Sequence, residues 1–409
     1  MEVALGGLII AACFTLGITM QGANWTFPYF SVVENGVSQG HWAISKSDYY
    51  AFISLSHFDK IWFDFSAAKN AQNLVPFNYC AEALLHVIIF SKLLLPFIPP
   101  ILALVTLQVI IHWIVCIAVI RRFSEKYLRL LFIAFYAVNP VVLKFVCFPF
   151  YYFWQVLPSV FLVLYLLDRR SWGIYLLPVA LILGFSIGMR GTTILVVVAF
   201  LLLSIWKERS AISLLSVALV LVVKVFIYNG DASPWHTMYV GIGGYDNPYG
   251  LTLSDVEGYR LFEKETGVVI STDVISGNYY HSETRSDYFN VLKEGYLNIL
   301  KQSPLLLVSN AIKNTLGGYS FGYFVGNPLL QWVAIISGGG FALMLLFLRQ
   351  YAWFLAIGFS LITFTSFYPP IPAYMYGSYL ILVVAFLQML TPPNRIIQKS
   401  LISDRLDNE

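Results

Sequence analysis

Charge is what this chain has least of: 25 Lys and Arg and 22 Asp and Glu in 409 residues make it 11% charged, against about a quarter in an average globular domain. The net charge of +3 comes without a basic tract or an aromatic-basic platform, which excludes nucleic acid as a partner. Cysteine is scarce too: Cys13, Cys80, Cys116 and Cys147 lie in or beside apolar runs without CxxC spacing, so neither a disulfide framework nor a zinc or iron site is expected. No GxSxG, HExxH or P-loop signature is present, which removes support from hydrolase, zinc-protease and NTP-driven readings. Repeats with a period of roughly 20 to 50 residues are missing, so solenoids and propellers are out. The opening run ALGGLIIAACFTLGITM lacks a basic leader and reads as a retained first span rather than a cleaved signal.

What fills the space is apolar: 58% hydrophobic and 17% aromatic residues predict an all-α polytopic membrane protein. Runs near the length of a span fall at 4–21, 99–120, 128–145, 152–167, 173–188, 192–206, 211–228, 329–348, 351–367 and 373–390, about 10 transmembrane helices. Basic residues gather at Arg121, Arg122, Lys126 and Arg129; at Arg169 and Arg170; at Lys207 and Arg209; at Arg349; and at Arg395, Lys399 and Arg405. Two spans separate each consecutive group, so the positive-inside rule places all five groups, and both termini, on the cytoplasmic side.

The expected organisation is a membrane module over 1–228 with a first extracytoplasmic loop at 22–98, a second loop at 229–328, spans over 329–390 and a cytoplasmic tail from 391 to 409. Ala83 to Pro100 carries Lys92, whose burial at the centre of a lipid-facing span would cost about 2.5 to 3.5 kcal/mol, so the segment is expected to lie in the interface or to re-enter. The turns at 139–152, 189–192 and 368–374 then face the same side as the two loops.

Within the first loop, Asp48, Asp59 and Asp64 stand among aromatics next to the bilayer. One helix over Ser47 to Ala68 would line up Phe58, Ile61, Trp62 and Phe65 toward the headgroups, put Asp48 and Asp59 on a shared face, and leave Asp64 four residues after Lys60 as its ion-pair partner. The second loop holds most of the acids and opens with SPWHTMYVGIGGYDNPYGL, where Trp235, His236, Tyr245 and Asp246 offer the rings, carboxylate and amide neighbours that bind sugars. Arg190, in GFSIGMRGTT between Gly188 and Gly191, is a guanidinium at the end of a span whose fork suits a phosphate, with Thr192 as a cap for the next helix. Lys144 is a weaker second cation. His41 and His236 read as hydrogen-bonding loop residues, His86 and His112 as satisfied histidines in apolar segments.

The first span, the acidic aromatic loop, NPVVLKF and GFSIGMRGTT together resemble the GT-C superfamily of polytopic glycosyltransferases, over about the first 210 residues. The resemblance implies a polyprenyl-phosphate-linked sugar as donor, a glycan or lipid acceptor, and a first-loop carboxylate as base. Asp48, or Asp59 in DKIWFDFSA, takes that role, with Asp64 beside them, while Arg190 and Lys144 hold the donor phosphate. No acid follows Asn139-Pro140, where many relatives carry one, and a proximal alignment puts Asn24 or Glu34 at the acidic position. A divalent ion, Mg or Mn, could bridge aspartate and phosphate, though no residue demands it. Serotype-converting O-antigen glucosyltransferases have this size and span count. An O-antigen polymerase or ligase predicts several loop arginines, where the later loop has Arg260 and Arg285. A transporter predicts paired halves, and none are visible.

Overall fold

The computed structural model describes residues 2–15, 23–40, 42–63, 65, 74–76, 83–168, 170–227, 233–270, 285–322 and 327–391. Through the first loop run α1 (Glu2–Thr15), α2 (Ala23–Gln39), β1 (Ala43–Ser45), α3 (Lys46–Ser54), α4 (His57–Ile61) and β2 (Leu74–Pro76), the two strands pairing antiparallel with Ile44 opposite Val75. Then come α5 (Ala83–Leu94), α6 (Pro100–Ile120), α7 (Lys126–Phe132), α8 (Pro140–Val146), α9 (Val156–Leu167), α10 (Leu176–Met189), α11 (Ile194–Glu208) and α12 (Ala211–Ile227). The second polar segment forms α13 (Trp235–Gly241), α14 (Val256–Thr266), α15 (Arg285–Gln302) and α16 (Pro304–Gly318) before α17 (Pro328–Phe347), α18 (Tyr351–Thr365) and α19 (Pro372–Met389). Proline opens α6, α8, α16, α17 and α19, the one helical turn where its missing N–H leaves no bond unmade.

An all-α membrane protein is what these helices build. Four of them, α6, Gly191–Glu208, α17 and α19, are long and apolar enough to cross a bilayer. A fifth is gained if α7 and α8, bent by 57° at Val138 and Asn139, count as one broken span. The bend has a local cause: the π-helical turn Ile133–Ala137 closes at Val138, and Asn139 caps α8, its side chain accepting from Val141 N at 2.9 Å and donating to Phe135 O at 3.1 Å. The other apolar helices, α1, α9, α10, α12 and α18, have 12 to 17 residues and cover about 18 to 26 Å of a hydrocarbon layer roughly 30 Å thick.

One end of the bundle is tied by charges. Arg121 grips Glu2 through two bonds of 2.7 and 2.8 Å, Arg122 grips Asp168 at 3.0 Å, and Glu208 accepts from Tyr165 Oη and the Trp172 N–H. Glu2 and Arg121 thus share an end of the bundle. Twelve residues long, α5 reaches only about 18 Å. Lys92 on α5 has its ammonium bonded to Glu34 of α2, so the insertion penalty that argued against a span is met by a partner instead. His112 is satisfied inside α6, bonding Ala137 O at 3.0 Å.

The first loop departs from the single interfacial helix. Extended backbone at Leu55 and Ser56 splits it, because Ser45 and Ser56 each cap a new helix by accepting from Asp48 N and Asp59 N. Asp48 and Asp59 therefore do not share a helix face. The aromatics turn inward as well: Phe27, Phe52, Phe63 and Phe65 meet with centroids 5.0 to 6.1 Å apart, while Trp62 stays exposed. The Phe58 side chain and all of Asp64 lie outside the described residues. Lys60 is buried over the Phe52 ring and donates to Asn24 Oδ1 at 3.1 Å, and burial lowers its pKa.

The second polar segment is a small folded cap. Tyr239, Ile242, Tyr259, Phe262, Tyr288 and Leu292 are buried in a core separate from that of the bundle. Its last helix, α16, belongs to both parts: Gly338 of α17 has no room for a Cβ beside Leu316 O, so the two helices touch backbone to backbone. The expected boundary at 328 thus falls after a helix that already packs on the spans.

Candidate functional site

At the end opposite Glu2, three turns converge on Arg190. Its backbone closes α10 by donating to Ser186 O at 3.2 Å, then turns extended so that the chain can start Gly191–Thr193 and α11. The guanidinium carbon lies 4.1 Å from the Tyr374 ring centroid, 4.9 Å from Tyr152 and 5.3 Å from Tyr151. The three turns that the charge pattern groups on one side, 139–152, 189–192 and 368–374, thus meet around one cation. Ring faces attract a guanidinium, most strongly where water is excluded. They also hold its plane, which fixes the direction of the N–H rim that recognises planar anions. Thr192 is not a side-chain cap; its carbonyl accepts from Thr363, and Thr193 turns its hydroxyl back to Arg190 O at 2.8 Å.

The cap closes over this cage. Gly241 has no room for a Cβ beside the Phe367 carbonyl, and Gly244 meets the Pro369 ring, so α13 and the turn after it lie directly on the 367–369 segment. From there Tyr368 leans on Tyr374 at 5.0 Å. Burial pushes the Tyr368 phenol up, with Tyr374, Asp255 and Tyr152 adding to the rise and Arg190 opposing it.

Asp255 is held from behind. Its Oδ1 is 3.1 Å from His236 Nε2, and His236 Nδ1 is 2.6 Å from the Tyr288 hydroxyl. A carboxylate only accepts, so Nε2 donates to Asp255; in the neutral ring Nδ1 then takes the Tyr288 proton donor. Tyr288 and His236 are buried, whereas the Asp255 side chain is 60% exposed. Gly258 permits this: a Cβ there would strike the Tyr288 hydroxyl.

The other candidates scatter. Asp59 is exposed and accepts the Ser56 hydroxyl at 2.6 Å, a capping role, and Asp48 occupies the first turn of α3. The first loop still reaches the site's margin, since Tyr29 of α2 packs edge-on against Phe150 at 5.5 Å, next to Tyr151. Lys144 points outward from α8 and is exposed, while its neighbours Val142, Leu143, Phe145 and Val146 are buried. Trp235 lies against Tyr296 and Lys293, and His236 serves Asp255. Tyr245 and Asp246 instead line a separate cleft with Lys313. The acceptor set read from the sequence is thus divided between two places. Asp255, Tyr151, Tyr152, Tyr368 and Tyr374 are not among the residues singled out from the sequence, although the tyrosines flank the very turns expected to share a side. Among the described residues, no three His, Cys, Asp or Glu side chains gather where they could hold a metal ion.

Replacing Gly241 by Ala is expected to lift the cap from the cage. Overpacking of this kind costs about 1 to 3 kcal/mol. Thermal unfolding in detergent should show a lower midpoint for Gly241→Ala, and an unchanged one for Gly7→Ala, where a Cβ has nothing within 4 Å. An unchanged midpoint in both would mean that the cap does not rest on the 367–369 segment. Set against family models, curated proteins and solved structures, the chain matches none of them, so it is the Arg190 cage and the Asp255–His236–Tyr288 chain that have to carry its functional reading.

Proposed function

We propose that the chain is a membrane glycosyltransferase that moves a sugar from a polyprenyl-phosphate donor to an envelope glycan or lipid acceptor. In this reading the bundle crosses a bacterial inner membrane about ten times, with both termini cytoplasmic and the two polar segments on the extracytoplasmic face. The observation that carries it is the Arg190 guanidinium clasped by Tyr151, Tyr152 and Tyr374, with the cap that holds an oriented, exposed carboxylate, Asp255, resting on the neighbouring 367–369 segment.

The chemistry needs few parts. The bond between the sugar's anomeric carbon and the phosphate oxygen breaks, its electron pair leaving with the lipid phosphate, and Arg190 stabilises that growing charge. An acceptor hydroxyl attacks the same carbon from the opposite side and its proton passes to Asp255, so the anomeric configuration inverts. His236 keeps Asp255 in position, and Tyr288 keeps His236 in place. Asp48 and Asp59 are the bases that the family resemblance would favour; Asp255 is preferred because a buried histidine, itself held by Tyr288, orients it, whereas Asp48 and Asp59 stand in the first turns of short helices.

The test uses the purified full chain with a labelled polyprenyl-phosphate sugar and an extract of envelope lipids and glycans. A transferase releases free polyprenyl phosphate and moves the label to acceptor. A flippase returns the donor intact on the other face, and that result would remove the transferase reading.

A further inference from the structure

Beside the cap, a cleft of about 580 Å³ opens at the first two turns of α17, where Gln331, Trp332 and Ile335 form one wall. The loop from Gly243 to Leu253 forms the other. Its shape is set from within: Asn247 accepts from the N–H groups of Tyr249 and Leu251 and donates to the carbonyls of Tyr245 and Leu251. Such a wall is in place before any ligand arrives. Lys313 of α16 stands inside, its ammonium 5.0 Å from the Tyr245 ring centroid and 5.8 Å from that of Trp332. Among the described residues no carboxylate lies in ion-pair range of Lys313. Asp246 lines the same cleft and is exposed, and Trp332 is 52% exposed.

We infer that this cleft binds a saccharide bearing a phosphate or carboxylate: the anion on Lys313, a ring hydroxyl on Asp246, and the sugar against Trp332. An ammonium held over ring faces keeps N–H donors for an anion, and lysine serves phosphate as a point charge. An ionised carboxylate only accepts, so Asp246 selects a hydroxyl and turns away a second anion. The cleft opens at the first turn of a membrane-spanning helix, the level where tryptophan marks the interface and lipid headgroups lie. The same chemistry is thus presented by a glycolipid head or by a free glycan. The inference needs the cleft alone, not the transfer reaction, and Arg190 takes no part in it.

The test is calorimetric binding to the full chain in phosphatidylcholine nanodiscs, with lactose and lactose 1-phosphate as probes. Lactose 1-phosphate should bind about tenfold or more tightly than lactose, the worth of one charge-assisted bond. Lys313→Ala should erase that preference, Lys313→Arg should keep it, and Trp332→Ala should weaken both probes. Nanodiscs containing phosphatidylglycerol separate the sources: competition in the wild type that disappears in Lys313→Ala places a lipid head in the cleft, and absence of competition places a free glycan there. Equal affinity for the two probes, or a preference that survives Lys313→Ala, overturns the inference.

Discussion

Arg190→Ala is expected to lower the rate of sugar transfer by about 100- to 1,000-fold, the scale on which loss of one preorganised charge stabiliser is felt. The cage explains why the loss should be large. Three tyrosine rings within 5.3 Å displace water from around the guanidinium, and a charge interaction in a dry site is much stronger than one in bulk water. Arg190→Lys should recover part of the rate, since the charge returns while the planar, ring-stacked fork does not. Initial rates of polyprenyl phosphate release, measured on detergent-purified variants of equal thermal stability, decide the matter. An unchanged rate in Arg190→Ala would take the donor phosphate away from this cage.

The second large effect concerns Asp255. Asp255→Asn keeps the size of the side chain and its contact with His236 but cannot accept a proton, and loss of a general base costs about 100- to 10,000-fold. His236→Ala should cost less, because the carboxylate remains and only its orientation is released. Asp48→Asn and Asp59→Asn serve as the comparison in the same assay. A large loss confined to either of them, with Asp255→Asn near wild type, would return the base to the first loop.

Several features were open to reading from the residues alone. Charge scarcity and apolar run length point to a helical membrane protein, because a bilayer admits little else. The spacing of basic residues groups the turns around Tyr152, Arg190 and Tyr374, and those turns do meet. Arg190 stands out because a guanidinium in an apolar run demands an explanation. The first loop was misread for an equally physical reason: periodicity continues through Leu55 and Ser56, while the serine side chains compete for the backbone N–H groups and start new helices. Lys92 looked like a penalty because its partner, Glu34, is remote in the chain.

What the sequence determined by itself is the class of protein: a helical membrane protein, where polar segments interrupt the apolar runs, and which cation is out of place. Tertiary structure alone decided the partners. Asp255 with His236 and Tyr288, Lys60 with Asn24, and Lys313 between Tyr245 and Trp332 all join residues from different elements. Periodicity and composition record what each side chain prefers to be near, oil or water. They carry no information on which distant group the packing of helices will bring within 3 Å, and at that range a carboxylate becomes either a helix cap or a base.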